Sequence, residues 1–448
     1  TPLHPLLARE VGRPFVLTSG NVSDEPIAYD DDDATATLSG IADAFLRHDR
    51  PIRTRTDDSV VRVFRGRVLP VRRSRGFAPE PLPVHEPFPR PVLACGAELK
   101  STFCLGKGRH AFVSHHIGDL ENYETLRSFT EGVAHYQALF DVRPEVVVHD
   151  LHPEYLSTKY AVDRGDRDEV RLVGVQHHHA HIASCMADNG TADPVVGVAF
   201  DGLGLGTDGT LWGGEILAAD LAGFHRLGHL EPVPMPGGAA AIRQPWRMAL
   251  SWLTTAYDGQ PPPGLAVARR HERAWGPVRE LARSGVGSPL TSSVGRLFDA
   301  VAALLDVRDA ITYEGQAAVE LEQLAAPGPT AGYPPALDGL VIRGSALVRA
   351  VVEDVRSGAD RALVAARFHD GLALATAEAA ARACEATGRS TVALSGGVFQ
   401  NVRLLGRLVA ELERRGLRVL VHGRVPPNDG GISLGQAVVA GARDRVGA

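Results

Sequence analysis

One succession of predicted elements occurs twice along this chain of 448 residues. In each copy three short strands joined by tight turns come first, and strands that alternate with helices follow. The predicted meander strands lie at 92–98, 101–106 and 111–115 in the first copy and at 194–200, 211–217 and 224–230 in the second. Such a repeat predicts an α/β fold with two related lobes and a cleft in which a nucleotide can bind. Two unrelated globular domains remain the alternative interpretation.

A proline-rich segment separates this repeat from the N-terminal part of the chain. Six prolines stand between residues 78 and 91, and prolines at that density block helices and central strands. In the N-terminal part, strands are predicted at 14–17, 59–64 and 67–71. The predicted organisation is a first unit at 1–80, a linker at 81–91 and a duplicated unit at 92–448 with a helical insertion at about 243–383.

The net charge and the cysteines limit what the protein binds and where it works. A formal net charge of −6 gives no overall attraction for nucleic acid or for an anionic membrane, so neither is expected as a partner. Four cysteines stand far apart without a CxxC pair, as expected of reduced thiols in the cytoplasm. The sequence lacks an initiator Met, so we expect it to begin inside a larger polypeptide.

Four histidines crowd the segment VQHHHAHIAS, where a predicted strand passes into a predicted helix. His177 and His181 stand four residues apart, so one helical turn brings both imidazoles to one face, as two ligands of one divalent ion require. The alternative is that these rings cap the helix or bind phosphates. Asp429 in the loop VPPNDGGISLGQA can supply an oxygen ligand, although an Asp before a helix equally suits an N-cap.

Two glycine-rich loops follow apolar strands, as phosphate-binding loops do. They are FDGLGLGTDGTLWGGE, starting at Phe200, and LSGGVFQN, starting at Leu394. Glycines let backbone N–H groups approach phosphate oxygens, and the dipole of a helix N-terminus adds to the attraction. Neither loop matches the P-loop consensus, and hairpin turns also use glycine. Phosphate binding is therefore one of two interpretations.

Hydroxyl, amide and guanidinium groups in the first unit suggest a second anion site. The candidates are Thr18, Ser19, Asn21 and Ser23 in the loop TSGNVSDEP, and Arg72, Arg73 and Arg75 in the segment PVRRSRGFAP. Guanidinium groups at the end of a strand can clamp a phosphate or a carbamoyl phosphate oxygen. A solvated basic turn is the alternative. The sequence shows no nucleophile elbow and no HExxH helix, which argues against a serine hydrolase and a metalloprotease.

Taken together, these strings resemble those of HypF carbamoyltransferases, which act in hydrogenase maturation. TSGNVSDEPI and VRRSRGFAP are similar to the second half of a YrdC-like domain. The strings similar to the C-terminal domain of the family are QHHHAH, GLGLGTDGTLWGGE, TYEGQAAVELE, LSGGVFQN and PPNDGG. They occur in the order of the family and cover nearly the whole chain, which is more specific than any single motif.

The resemblance implies a two-site enzyme that uses carbamoyl phosphate and ATP. In such enzymes the YrdC-like domain forms carbamoyl adenylate and releases pyrophosphate. The C-terminal domain transfers the carbamoyl group to the terminal cysteine of the partner protein HypE and releases AMP, toward the cyanide ligand of nickel–iron hydrogenase. The implied fold is a partial YrdC-like α/β domain followed by a duplicated ribonuclease H-like domain of the actin and sugar kinase superfamily, similar to tRNA threonylcarbamoyl transferases.

The resemblance also implies roles for individual residues. Matched position by position, His177, His181 and Asp429 are the implied metal ligands and catalytic residues. The positions that fall in the implied nucleotide loops are Asp201, Gly202, Gly396, Gly397 and Asn401. The implied cofactors are ATP with Mg²⁺ and one divalent metal, either zinc or iron.

The chain departs from the family pattern at its front. The acylphosphatase-like domain, the zinc-finger pair and the first half of the YrdC-like domain are missing, so we expect the adenylation pocket to be incomplete in this chain. Two other functions stay open: an O-carbamoyltransferase that acts on a small-molecule hydroxyl, and a non-catalytic nucleotide-binding scaffold. The strings TYEGQAAVELE and VPMPGGAAAIRQPWRMAL look more like the hydrogenase-maturation branch than like the O-carbamoyltransferases.

Overall fold

The computed structural model describes residues 2–22 and 25–447 and arranges them around three β-sheets. A two-stranded sheet belongs to the N-terminal part, a six-stranded sheet to the first lobe and a nine-stranded sheet to the second lobe. Within the described residues, no helix has both the length and the apolar character needed to cross a membrane.

The N-terminal part has little regular structure. Its elements are α1 (Leu3–Val11), α2 (Asp31–Leu38), β1 (Val60–Phe64) and β2 (Arg67–Arg72). Helix α2 begins where the Asp30 carboxylate accepts hydrogen bonds from the N–H groups of Asp32 and Asp33. The prediction of a strand at 14–17 is wrong: Val16 is 89% exposed, and the segment pairs with no strand of the described chain. Without a partner for its backbone groups, an extended segment does not become a strand.

Strands β1 and β2, both predicted from the sequence, form an antiparallel hairpin that packs against the second lobe. Arg65 and Gly66 at its turn have φ angles of 50° and 74°, as a two-residue hairpin loop requires. Leu69 is 2% exposed and belongs to the core of the second lobe. Arg62 donates a 2.8 Å hydrogen bond to the Glu322 carboxylate. The hairpin therefore fixes the N-terminal part to the lobes.

The first lobe surrounds the six-stranded sheet. Its elements are β3 (Leu82–Pro83), β4 (Val92–Ala94), β5 (Cys104–Lys107), β6 (His110–Val113), α3 (Tyr123–Phe140), β7 (Val146–Asp150), α4 (Leu156–Asp168), β8 (Arg171–Val175) and α5 (His177–Asp188). Strands β4, β5 and β6 form the predicted meander, and β7 and β8 continue the sheet in parallel. Strand β3 comes from the proline-rich segment and pairs with β6 at the sheet edge, where proline interrupts no central ladder.

The second lobe repeats this plan around the nine-stranded sheet and adds a block of helices. Its elements are β9 (Val195–Leu205), β10 (Leu211–Ala219), β11 (Phe224–Leu230), β12 (Val233–Pro234), α6 (Ala239–Arg243), α7 (Pro245–Ala256), α8 (Ala266–Arg270), α9 (Glu272–Ser284), β13 (Leu290–Thr291), α10 (Val294–Leu304), α11 (Gln316–Leu324), β14 (Leu337–Asp338), β15 (Val341–Ile342), α12 (Gly344–Arg356), α13 (Arg361–Thr387), β16 (Thr391–Ser395), α14 (Val402–Arg414), β17 (Arg418–Leu420) and α15 (Ile432–Val446). Helices α7 to α12 lie within the region predicted as a helical insertion, and α13 begins there and ends at Thr387.

Both lobes share one strand order. It is β6-β5-β4-β7-β8 in the first lobe and β11-β10-β9-β16-β17 in the second, with an antiparallel meander followed by two parallel strands in each. The duplicated ribonuclease H-like fold predicted from the sequence is therefore confirmed. Helices α5 and α15 follow the last strand of each copy and pack closely together. A Cβ atom built on Gly435 would lie 1.8 Å from the carbonyl oxygen of Ala180, so this crossing requires a glycine.

Candidate metal and nucleotide site

Two histidines and two aspartates converge where the lobes meet. His177 and His181 lie on the first two turns of α5, Asp201 lies on β9, and Asp429 begins the 3-10 turn before α15. Their ligand atoms all lie within 4.8 Å of one another. Nε2 of His177 and Nε2 of His181 are 3.2 and 3.4 Å from Asp201 Oδ2 and 3.8 and 3.6 Å from Asp429 Oδ1. Donors around one tetrahedral ion stand about 3.4 Å apart, so these spacings suit a single metal.

The structure brings together the three ligands predicted from the sequence and adds a fourth. His177, His181 and Asp429 are the predicted set. Asp201 is predicted as a nucleotide-loop residue, and its carboxylate faces the two histidines instead of standing apart from them. Two imidazole nitrogens and two carboxylate oxygens form a donor set that suits zinc or iron.

Polar partners hold His177 and the start of α5 in place. Asp150 at the end of β7 accepts a 2.8 Å hydrogen bond from Nδ1 of His177. This bond orients the ring so that its Nε2 faces Asp201 and Asp429. Gln176 caps α5, because its side-chain oxygen accepts a hydrogen bond from the N–H of His179. Its side-chain amide also donates to the carbonyl of Leu205 at the end of β9. The contact of Asp150 with His177 was not predicted from the sequence, although a carboxylate at the end of a buried strand is a detectable signal.

Burial and neighbouring charges shift the pKa values of the cluster residues His177 and Asp201 in opposite directions. Burial disfavours a charged imidazole, but the carboxylates of Asp150 and Asp201 outweigh it and raise the pKa of His177 well above its ordinary value. Burial likewise opposes ionisation of Asp201, yet the hydrogen bond from His177 and the nearby imidazole of His181 hold the pKa of Asp201 well below its usual range. Nε2 of His181 is buried and has no hydrogen-bond partner within the described residues. A buried nitrogen without a partner that lies 3.4 and 3.6 Å from two carboxylate oxygens fits a metal ligand.

The other two histidines of the segment lie outside the cluster. Burial lowers the pKa of His178 well below its ordinary value, and the ring packs against Trp212. Burial also lowers the pKa of His179 to about 4, and its Nε2 makes a 2.7 Å hydrogen bond with the carbonyl of Asp220. Both rings are therefore neutral parts of the core. They neither cap the helix nor join the cluster, and the metal role of His177 and His181 stays a prediction.

The second glycine loop lies directly beside the cluster. The N–H of Gly397 donates a 2.9 Å hydrogen bond to Asp201 Oδ1. Gly396 has a φ of 103°, and a Cβ atom there would lie 2.1 Å from the carbonyl oxygen of Phe200, so no other residue fits. Asn401 caps α14 by accepting from the N–H of Leu404, and its amide contacts His369 at 2.9 Å. The loop is therefore fixed from both sides.

A cavity of about 930 Å³ opens above the cluster. Predicted site residues on its wall are Ser19, Asn21, Arg72, Arg73, Asp201, Gly202, Gly397, Asn401 and Asp429. The two candidate anion sites predicted from the sequence thus share one space. Thr18 and Gly396 do not appear on the wall, and Ser23 lies outside the described residues.

Two buried charged residues on α10 face this cavity and were not predicted. Arg296 and Asp299 stand 3.1 Å apart, and each retains buried polar atoms without a hydrogen-bond partner within the described residues. Burial raises the pKa of Asp299 to about 6, against the opposing charge of Arg296. Ser293 caps their helix, and its hydroxyl also contacts the carbonyls of Asp201 and Gly202. Unsatisfied polar groups at a cavity wall are suited to a polar ligand.

The N-terminal candidates differ in how they are held. Asn21 accepts from the hydroxyl of Ser19 and donates to backbone carbonyls, which shapes the loop. Arg72 lies 3.7 Å from Asp57, a residue of the same wall. The guanidinium of Arg73 donates to the carbonyls of Val113, Phe77 and Glu80, so it joins the N-terminal part to the first lobe. Phosphate binding by these residues stays a prediction.

Comparison with protein-family models gives three matches in chain order. Residues 1–74 match the model described as Sua5, YciO and YrdC, telomere recombination. Residues 88–188 match the HypF Kae1-like domain. Residues 197–436, more than half of the chain, match the carbamoyltransferase Kae1-like domain, second subdomain.

Similar proteins support the same assignment. The chain is 40% identical to carbamoyltransferase HypF2 of Cupriavidus necator over 98% of its length, and 43% identical to carbamoyltransferase HypF of Rhodobacter capsulatus over 99%. It spans 59% of each of these relatives. A crystal structure of full-length HypF in the phosphate- and nucleotide-bound form superimposes with a TM-score of 0.93 at 42% identity, covering 99% of this chain and 70% of that one.

Proposed function

This chain belongs to the HypF carbamoyltransferase family, and on that premise we propose that its two lobes transfer a carbamoyl group from carbamoyl adenylate to an acceptor thiol. The observation that carries the proposal is the cluster of His177, His181, Asp201 and Asp429 at one end of a cavity that also holds unsatisfied polar groups. A metal at the cluster would supply Lewis-acid polarisation of an oxygen of the substrate. The chemistry thus requires both the cluster and the cavity wall.

In the proposed reaction, the residues of the wall bind and orient the adenylate. Arg296 and Asp299 offer buried, unsatisfied polar atoms to its ribose or base, and the backbone beside Gly397 lies at the cluster end, where the phosphate is placed. Asp150 keeps Nδ1 of His177 protonated, so the proton that a metal would displace on binding is the one on Nε2.

The transfer step itself balances without a further reactant. The acceptor thiol loses its proton, its sulfur attacks the carbamoyl carbon, and the bond between that carbon and the phosphate oxygen breaks. AMP leaves with the electron pair of that bond. The product is a thiocarbamate on the acceptor, which we propose to be the terminal cysteine of a HypE-like protein in cyanide-ligand synthesis for nickel–iron hydrogenase.

The first half-reaction is proposed for a protein of the relatives' full length. This chain spans 59% of its first relatives, and such a full-length protein would make carbamoyl adenylate from carbamoyl phosphate and ATP with Mg²⁺. Ser19, Asn21 and Arg72 lie on the shared cavity wall, so adenylate formed near them would reach the cluster without leaving the protein. A cytoplasmic location is part of the proposal, since Cys95, Cys104, Cys185 and Cys384 are all free thiols.

One assay distinguishes this function from the two alternatives, an O-carbamoyltransferase and a nucleotide-binding scaffold. Supplied with carbamoyl adenylate and metal, the chain should release AMP in the presence of a peptide that ends in cysteine and add the carbamoyl mass to that peptide. A matched peptide ending in serine should gain no mass. Mass gain on the serine peptide would instead favour an O-carbamoyltransferase, and nucleotide binding without AMP release would favour a scaffold.

A further inference from the structure

We propose that Lys100 binds the phosphate of the nucleotide beside the metal cluster, and that Glu314 holds the Lys100 ammonium group when no nucleotide is bound. This inference rests on the proposed function, because it assigns a residue to the nucleotide which that function requires. Lys100 lies in the first lobe between β4 and β5, and Glu314 lies between α10 and α11 of the insertion. Their side chains form an ion pair, and both residues line the cavity.

The ion pair lies directly beside two of the metal-site residues. A Cβ atom built on Gly202, next to Asp201, would lie 3.8 Å from Glu314 Oε1. A Cβ atom built on Gly430, next to Asp429, would lie 3.6 Å from the carbonyl oxygen of Lys100. The pair therefore crosses the cavity at its cluster end, where the phosphate of an adenylate must lie if its carbamoyl group is to reach the metal.

The backbone that presents Lys100 has an unusual conformation. Its φ is 48°, in the left-handed region that residues with a side chain rarely adopt. The Asp119 carboxylate accepts a 2.6 Å hydrogen bond from the N–H of Lys100, and the N–H of Ser101 donates to the carbonyl of Gly118. A conformation of this kind persists where neighbouring groups impose it, and such positions concentrate at ligand sites.

Lys100 is the cation on this wall that can most easily exchange its carboxylate partner for a phosphate, because that carboxylate is the most exposed one. The Glu322 partner of Arg62 has 6% of its side chain exposed, and the Asp299 partner of Arg296 has 1%. Release of either cation would leave a buried carboxylate unpaired, which is costly. Glu314 has 40% of its side chain exposed, so water can solvate it after release. The Asp57 partner of Arg72 has 24% of its side chain exposed, and Arg73 donates to three backbone carbonyls. Exchange at Lys100 therefore carries the smallest desolvation penalty among the carboxylate-paired Lys and Arg residues of the wall.

The use of lysine at this position is itself informative. The chain has three lysines among 47 Lys and Arg residues. Lys107 donates to the carbonyls of Phe140 and Asp141 near the end of α3, and Lys159 pairs with Glu154. Neither of these lysines lines the cavity. Lysine provides a compact point charge with three rotatable donors on a flexible stem, and it is an established phosphate ligand in proteins.

The test is calorimetric binding of AMP and of adenosine to the metal-loaded chain and to its variants. Lys100→Met should weaken AMP binding by about 10-fold or more, as expected for a charge-assisted bond to a phosphate, and should leave adenosine binding within about two-fold. Glu314→Gln should tighten AMP binding several-fold, because the competing carboxylate is gone, and this gain should vanish in the double variant. Lys107→Met is the matched control and should change neither affinity.

The possible results distinguish the proposed role of Lys100 from the proposed function of carbamoyl transfer. AMP binding that Lys100→Met leaves unchanged overturns the assignment alone, and so does an equal loss for adenosine, which would indicate a general structural role. Failure of the unaltered chain to bind AMP or adenosine overturns the proposed function and the assignment together. If Lys100→Met does not fold by circular dichroism, Glu314→Gln decides, because AMP affinity equal to that of the unaltered chain contradicts the competition.

Discussion

No described residue before Leu69 is buried, whereas every residue of α5 in the first lobe is buried. Large apolar side chains stand in water in the N-terminal part, with Leu6 52%, Val16 89% and Leu46 80% exposed. A domain is stable when each element covers the apolar face of another. The lobes meet that requirement between themselves, while the N-terminal part meets it mainly through the β1–β2 hairpin.

The same contrast holds for the candidate chemistry. The cluster in the lobes is buried and held by neighbours such as Asp150, whereas Ser19 is exposed and Arg72 is half-buried beside Asp57. A site works when its groups are held in position before the substrate arrives. The contrast supports the proposal that the lobes hold the transfer site, because their candidate groups are fixed in position and those of the N-terminal part are held less firmly. The predictions below test this division, beginning with the largest effect.

The largest expected effect is loss of the metal. Asp429→Ala and His181→Ala should each reduce bound metal from about one equivalent to near zero by elemental analysis, because either change removes a ligand from a four-residue set. Arg72→Ala and Asn21→Ala in the N-terminal part should retain the metal. Metal that persists in both folded cluster variants would place the ion elsewhere.

The next effect concerns stability. Phe103 is fully buried in the first lobe against Phe129 and Tyr136, so Phe103→Ala should lower the free energy of unfolding by about 3–5 kcal/mol. Leu46→Ala in the N-terminal part should change it by less than about 0.5 kcal/mol, because that side chain already contacts water. Denaturant unfolding of both variants gives the comparison. An equal loss of unfolding free energy in both variants would show that the N-terminal part packs Leu46 as firmly as the first lobe packs Phe103.

A smaller effect on metal binding is expected from a change at Asp150, which contacts His177 but is not one of the four cluster residues. Asp150→Asn keeps the shape of the side chain but removes the charge that orients and polarises His177, so metal affinity should fall by about 10- to 100-fold. Competition with a chelator measures this affinity. Asp163→Asn on the exposed face of α4 is the matched control and should leave the affinity unchanged. An unaltered affinity for Asp150→Asn would remove the supporting role of that residue.

The smallest effect is expected at the junction of the two regions. Arg65 pairs with Glu413 at 2.8 Å, but about half of each side chain is exposed to solvent. A double-mutant cycle with Arg65→Ala and Glu413→Ala should therefore give a coupling free energy below about 1 kcal/mol, decreasing further in high salt. A larger, salt-independent coupling would mean that the N-terminal part is held more tightly than its exposure indicates.

The sequence predicts the parts of this molecule that depend on local periodicity. The i, i+4 spacing of His177 and His181 is read directly from one helix, and the two meanders repeat recognisable strand and turn patterns. The contacts of Asp201 and Asp150 with His177 could not be predicted in this way, because β7, β9 and α5 meet only in the tertiary fold. The wrong strand at 14–17 has the same cause, since a strand depends on a partner that the local pattern does not contain.

The division between the regions is tested most directly by measuring both half-reactions on the same chain. The account predicts no exchange of pyrophosphate into ATP with carbamoyl phosphate present, because the exposed Ser19 and the half-buried Arg72 are not held firmly enough to align two anionic substrates that repel each other. It also predicts that the same chain, given carbamoyl adenylate, adds the carbamoyl mass to an acceptor thiol and that Asp429→Ala abolishes this transfer. Robust pyrophosphate exchange, or transfer that Asp429→Ala does not affect, would contradict the account.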